Sequence, residues 1–203
     1  CPPADALRDL VRSRGLGDVS TRQFYADEVH GHRYWTFLSE ELPSLVDQFF
    51  RVSTRREDTF VAGLSMGGYG AFRWALRHPE RFAAAASLSG VLDLADESYR
   101  ERRLPDIERV FGDREIAGSD DDLLALLRRA AAEGRTADLP ELFLACGTED
   151  FLVDGNRAFE RVADESGVAL RSEFSPGTHE WGFWDRTIQD VLDWLPLAGT
   201  PRT

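Results

Sequence analysis

The chain has 203 residues, 42% of them hydrophobic and 11% aromatic, with 36 acidic against 24 basic side chains and a formal net charge of −12. This length and apolar content suit one globular domain with a sizeable core. The acidic excess argues against nucleic acid and anionic membrane surfaces as partners and favours a small neutral substrate.

All the basic residues are arginine, which reads as coding bias. Cys1 and Cys146 have no spacing of a disulfide framework or zinc site, so no metal is expected, and a reducing, cytoplasmic location is the default. No apolar run reaches the roughly 18 residues that a membrane helix needs, and no charged-then-apolar leader opens the chain.

In chain order, residues 1–23 form an atypical head with one modest helix, Ala4 to Arg14, broken by Gly15-Leu16-Gly17. Phe24 to Trp35 has neither helical nor strand period and reads as a loop. Leu38, Leu42, Leu45, Val46 and Phe49 then share one helical face, which Pro43 should kink or start late and which should cover a sheet. Phe60 to Gly63 and Phe82 to Leu88 flank a helix, a β-α-β unit with parallel strands. Residues 92–140 are too long for a simple connection and form a helical insertion carrying a helix from Asp120 to Ala132. The basic cluster Arg100 to Arg103 reads as a solvated face.

Leu142 to Cys146 is a third strand and Ala169 to Phe174 a fourth. Between them a helix over Asn156 to Ser166 is bounded by Asp154 as N-cap and Gly167. A last helix places Trp184, Ile188, Val191, Leu192 and Leu195 on one face, ends before Pro196 and should pack the sheet's outer edge. Alternating strand and helix predicts an α/β fold, a mostly parallel sheet flanked by helices in a single domain.

The chemistry centres on Gly63-Leu64-Ser65-Met66-Gly67, where a strand turns sharply into a helix. A serine at such a turn is lifted clear of the sheet, and glycines two residues to either side remove the Cβ atoms that would block the bend. The pattern alone is weak. A nucleophilic Ser65 needs a base, and the base a carboxylate, in the chain order Ser, acid, His. Of the four histidines, His30, His32 and His78 precede any acid after a later strand, which leaves His179, in the loop after the fourth strand. The acid belongs in the loop after the third strand, where Glu149, Asp150 and Asp154 compete. Asp150 stands at the loop's middle, Asp154 has a capping role available, and Glu149 is expected to point to solvent or to a neighbouring backbone. The backbone N–H of Met66 is one oxyanion donor, and no loop for a second donor is legible. Trp35, Trp181 and Phe183 are candidates to line a substrate pocket.

At these residues the chain resembles the esterase D group of the α/β-hydrolase superfamily, with S-formylglutathione hydrolases, tributyrin-type carboxylesterases and, more remotely, mycolyltransferases. The resemblance rests on His30-Gly-His-Arg-Tyr34-Trp35-Thr36-Phe37 with Glu40-Glu41-Leu42-Pro43, on Gly63 to Ala71, on Cys146 to Phe151 and on Gly177 to Trp184. It implies Ser65 as nucleophile, Asp150 as acid and His179 as base, with acyl transfer to water and no cofactor. Family members begin with several strands and a loop that supplies the second oxyanion donor. At most 23 residues stand in their place, so a truncated or altered N-terminal part is expected, with an exposed sheet edge that favours a homo-oligomer. Three functions compete: a short-chain carboxylesterase, a thioesterase or acyltransferase, and an inactive hydrolase-fold binding protein.

Overall fold

The computed structural model describes residues 24–29 and 31–197. The expected head helix and His30 lie outside the described residues. Four strands, β1 (Phe60–Leu64), β2 (Ala84–Leu88), β3 (Glu141–Gly147) and β4 (Leu170–Ser175), form one parallel sheet in the order β1-β2-β3-β4. β2 is buried throughout and β3 from Leu142 onward because both faces are covered. β4, at one edge of the described sheet, mixes apolar and polar residues.

Alternate residues of the strands feed two cores. Val61, Ala85, Leu142 and Leu144 face the larger one, with residues of α2 (Met66–Arg77), α5 (Leu123–Ala132) and α6 (Val153–Glu165). Ala86, Leu88, Phe143 and Ala145 face α7 (Trp181–Trp194) through Phe183, Trp184 and Val191. The last helix therefore packs across β2 and β3 rather than along the sheet's outer edge. Small residues at Ala86 and Ala145 let its aromatic face approach the central strands, where more apolar area is buried than at an edge.

The insertion holds two further helices, α3 (Glu97–Arg102) and α4 (Leu104–Phe111), beside α5. Asp122, rather than an earlier residue, caps α5 by accepting the Ala125 N–H at 3.0 Å. Arg73 on α2 ties the insertion down: its buried guanidinium pairs with Asp121, and the Tyr69 hydroxyl donates to the Asp121 carbonyl at 2.9 Å.

The helix expected over Leu38 to Phe49 is built in pieces, a turn at Tyr34–Thr36, a π-helical turn at Phe37–Glu41 and α1 (Leu42–Phe49). Pro43 has no N–H to give to the Ser39 carbonyl, and the Arg81 guanidinium donates there instead at 2.6 Å. The expectation that this helix covers the sheet is not met. No residue of α1 is buried, and Leu45 and Phe49 stay exposed. Its anchors, Trp35 and the Arg81 bond, hold its start against the far end of α2, away from the buried core of the described residues.

Candidate active site

Each of the four strands ends on a residue of one cluster: Ser65 after β1, Ser89 after β2, Asp150 after β3 and His179 after β4. A parallel sheet makes this convergence possible, because all its carboxyl ends lie on one side and the loops there face each other.

Ser65 stands between β1 and α2 with φ 53° and ψ −122°, a conformation that side chains rarely adopt. Its N–H donates to the Leu88 carbonyl at 2.8 Å, which extends the β1–β2 ladder by one bond and aims the residue out of the sheet. The elbow closes tightly. A Cβ on Gly63 would lie 2.2 Å from the Gly67 carbonyl oxygen, whereas one on Gly67 would meet only the Tyr25 hydroxyl at 3.5 Å. Of the two flanking glycines only Gly63 is required sterically, which revises the sequence-based expectation for Gly67. Gly68 and Gly70 carry the other constraints, against the Ser87 hydroxyl and the Tyr25 ring.

The three residues expected to act together do meet. The Ser65 hydroxyl lies 2.9 Å from Nε2 of His179, and Nδ1 of the same ring lies 2.8 Å from Oδ2 of Asp150. The acid's carboxylate is buried. Burial opposes its ionisation, but hydrogen bonds from His179, the Leu152 N–H and the Ser89 hydroxyl outweigh this and hold the carboxyl below the usual range. Acidification then has a definite sign. A depressed folded-state pKa contributes stability that is complete above the ordinary carboxylate value and is lost as pH falls through the folded value. The melting-temperature gap between wild type and Asp150→Asn should therefore stay constant above about pH 5 and shrink below about pH 4. Thermal melts across that range check it.

The two competing carboxylates have other roles. The Glu149 carboxylate accepts the Gly177 N–H at 2.6 Å, while its own N–H donates to the Gly177 carbonyl at 3.1 Å, so it stitches the acid loop to the base loop through neighbouring backbone. Asp154 is not the cap of α6, which starts at Val153. Leu152 is the capping position, without a side-chain cap, and Asp150 shapes the turn before it: its carboxylate accepts the Leu152 N–H at 2.9 Å and its carbonyl the Val153 N–H at 3.0 Å. Asp154 falls in the first turn, where a negative charge suits the helix dipole.

Ser89 was not singled out in the sequence, although it follows a strand as the other three do. It is fully buried with φ 46°, and it accepts a hydrogen bond from Trp184 Nε1 at 3.2 Å while its hydroxyl helps to hold the Asp150 carboxyl below its usual range. Trp184 stands edge-on to the His179 ring at 4.9 Å, so one serine connects the supports of acid and base. Removing the Ser89 hydroxyl takes the acceptor from Trp184 Nε1 and a polar neighbour from Asp150, and about 1.5 kcal/mol of lost positioning is roughly tenfold in rate. Ser89→Ala and Ser89→Gly should both lose about tenfold in kcat, although only the glycine relieves the positive φ. Single-turnover kinetics on the two variants separate lost hydroxyl from relieved strain.

The first N–H of α2, at Met66, has no acceptor within the helix and stands at the positive end of its dipole, as an oxyanion donor requires. The Met66 sulfur accepts the Phe24 N–H at 3.3 Å. Trp35 is a different matter. It stacks on His78 at 5.8 Å and lies under the Arg73 guanidinium at 4.0 Å, along the C-terminal half of α2. At about 1.5 Å per residue, that places it at the far end of the helix that Ser65 opens, so it does not join the triad. Phe183 is buried against Gly177 as core. Trp181 is near the base: it is 69% exposed and meets Trp184 edge-to-face at 5.4 Å. Phe151, which the sequence marks only as part of the Cys146 to Phe151 motif, lies closer still, its ring 4.7 Å from the imidazole. His32 and His78 make ring contacts elsewhere, with Tyr34 and Trp35. Cys146 is free and buried beside this network, and burial pushes its thiol up to about 12. Cys1 lies outside the described residues.

The profile of the family named Esterase matches residues 16–195. The chain belongs to this esterase family. Over 186 residues it is 33% identical to an acetyl esterase of Caldicellulosiruptor saccharolyticus, covering 85% of this chain and 67% of that protein. Over 198 residues it is 26% identical to an S-formylglutathione hydrolase of Paracoccus denitrificans, covering 94% and 64%. Among solved structures, the fluorophosphonate-binding serine hydrolase F of Staphylococcus aureus superimposes with a TM-score of 0.75 at 32% identity, covering 86% of this chain and 68% of that one. The fold is thus the α/β fold of the α/β hydrolases. The chain spans 43–67% of the length of the curated relatives it matches. Among the described residues no helix is long and apolar enough to cross a membrane.

Proposed function

We propose that this esterase-family chain is a serine carboxylesterase that hydrolyses short-chain acyl esters through an acyl-enzyme. One observation carries the reading: the Ser65 hydroxyl, the His179 ring and the Asp150 carboxylate form an unbroken hydrogen-bonded line of 2.9 and 2.8 Å. In that line Ser65 Oγ attacks the ester carbonyl carbon as its proton passes to His179 Nε2. Asp150 holds Nδ1–H and stabilises the imidazolium. The Met66 N–H donates to the oxyanion. The bond from carbon to the leaving alkoxide then breaks, and Nε2–H gives that oxygen its proton. Water repeats the sequence on the acyl-enzyme, with His179 taking its proton, and releases the acid and free Ser65.

A second reading, hydrolysis of a thioester, draws on the likeness to the Paracoccus denitrificans S-formylglutathione hydrolase. Oxygen esters are preferred here because the chain's acidic balance opposes an anionic thiol partner. Passage of the acyl group to a sugar or lipid needs the same acyl-enzyme, and trapping experiments with alcohol acceptors detect it. The inactive binding-protein alternative is disfavoured by the assembled triad. The test is turnover of a chromogenic acetate or butyrate ester alongside fluorophosphonate labelling. The reading requires a covalent adduct on Ser65, and folded protein that neither turns over nor labels would overturn it.

A further inference from the structure

We propose that the leaving-alcohol side of the site is an aromatic platform of Phe151 and Trp181, selective for neutral alcohols that present a flat apolar face, either an aryl ring or the C–H face of a pyranose. This rests on the esterase reading above. His179 Nε2, 2.9 Å from Ser65 Oγ, must hand its proton to the departing oxygen, so the leaving group sits beside the imidazole. Three groups stand against that ring. Asp150 takes Nδ1, Trp184 lies edge-on and 7% exposed, and Phe151 lies tilted by 52° and 57% exposed. Trp181 continues the surface outward from Trp184 and is more exposed still.

Both exposed rings rest against a neighbouring ring. Phe151 lies 4.7 Å from the imidazole whose Nδ1 bonds Asp150, and Trp181 opens α7 with its ring braced on Trp184. Rigid aromatic side chains give contact area with little entropy to lose, and their faces take up aryl rings and C–H groups alike. The charge around them selects further. The loops 147–154 and 176–181 carry Glu149, Asp150, Asp154 and Glu180 and no arginine. A leaving group that bears carboxylates, as the thiol tripeptide glutathione does, meets repulsion there, whereas a neutral alcohol does not.

The experiment compares acetate esters that share the acyl group and differ in the alcohol: ethyl acetate, benzyl acetate, an O-acetylated methyl pyranoside, and S-acetylglutathione. The expected result is a kcat/KM for the benzyl or pyranoside ester about tenfold above ethyl acetate, with the thioester below it. Phe151→Ala and Trp181→Ala should each remove most of that preference through KM, and Phe151→Tyr should keep it. Thermal melts confirm that the variants are folded, as expected for substitutions at exposed positions. The benzyl and pyranoside arms identify which flat face the platform takes. No preference over ethyl acetate, or a preference that survives both alanine variants, overturns the proposal while the esterase reading stands. Loss of ethyl acetate turnover together with loss of Ser65 labelling in folded wild type overturns both.

Discussion

Ser65→Ala should lower kcat on a short-chain ester by about 10⁶, to a level set by binding and the oxyanion donor alone. The alanine leaves the strained backbone in place and removes only the oxygen that bonds His179 Nε2 at 2.9 Å. Ser65→Gly should be equally inactive but more stable, because glycine accepts φ 53° without the steric cost that a Cβ brings. A melting temperature a few degrees above wild type is the expected size for about 1 kcal/mol in a chain of this length. The comparison divides two properties of one residue, the proposed nucleophilic oxygen and the strained backbone. If Ser65→Ala retained wild-type turnover, the nucleophile would have to lie elsewhere and the esterase mechanism would fall with it.

The second large effect is on folding. Gly63→Ala should destabilise the protein by about 3 kcal/mol or more, because the new methyl would sit 2.2 Å from the Gly67 carbonyl oxygen, with backbone on both sides of the contact. Neither β1 nor the first turn of α2 can move away without shifting Ser65. Gly67→Ala should cost far less, since its methyl would only touch the Tyr25 hydroxyl at 3.5 Å. Denaturant melts of the two variants measure the contrast. Equal destabilisation by both would mean that the elbow is tight on its helix side as well.

Much of the site was legible because its signals are local. A glycine-flanked serine between an apolar run and a helix, an acidic loop after one strand and a histidine loop after another are each written in a few consecutive residues. Their order reduced four histidines to one. The choice among Glu149, Asp150 and Asp154 was harder, since all lie within one short loop and spacing does not say which carboxylate turns inward. Asp154 misled because an acid beside a helix start reads as a cap, whereas the helix begins one residue before it, at Val153, with no side-chain cap. Ser89 escaped notice because nothing in Ser87-Leu88-Ser89-Gly90 differs from an ordinary turn until β3 and α7 bring Asp150 and Trp184 beside it.

The aromatic residues show the same division. Trp35 reads as a pocket candidate and Phe151 does not, yet Trp35 packs at the far end of α2 and Phe151 against the His179 ring. The amphipathic stripe of α1 and the apolar face of α7 likewise predicted helices correctly and their docking incorrectly. The sequence by itself determined the alternation of strand and helix, the elbow at Ser65 and the chain order of Ser65, Asp150 and His179. These depend on periodicity and turn chemistry within a few residues. Only the tertiary structure decided which carboxylate meets the imidazole, that Ser89 bonds the tryptophan beside it, and that Phe151 and Trp184 rather than Trp35 stand against the His179 ring. Those outcomes depend on which strand ends lie side by side and which face each helix buries, and long-range packing sets both.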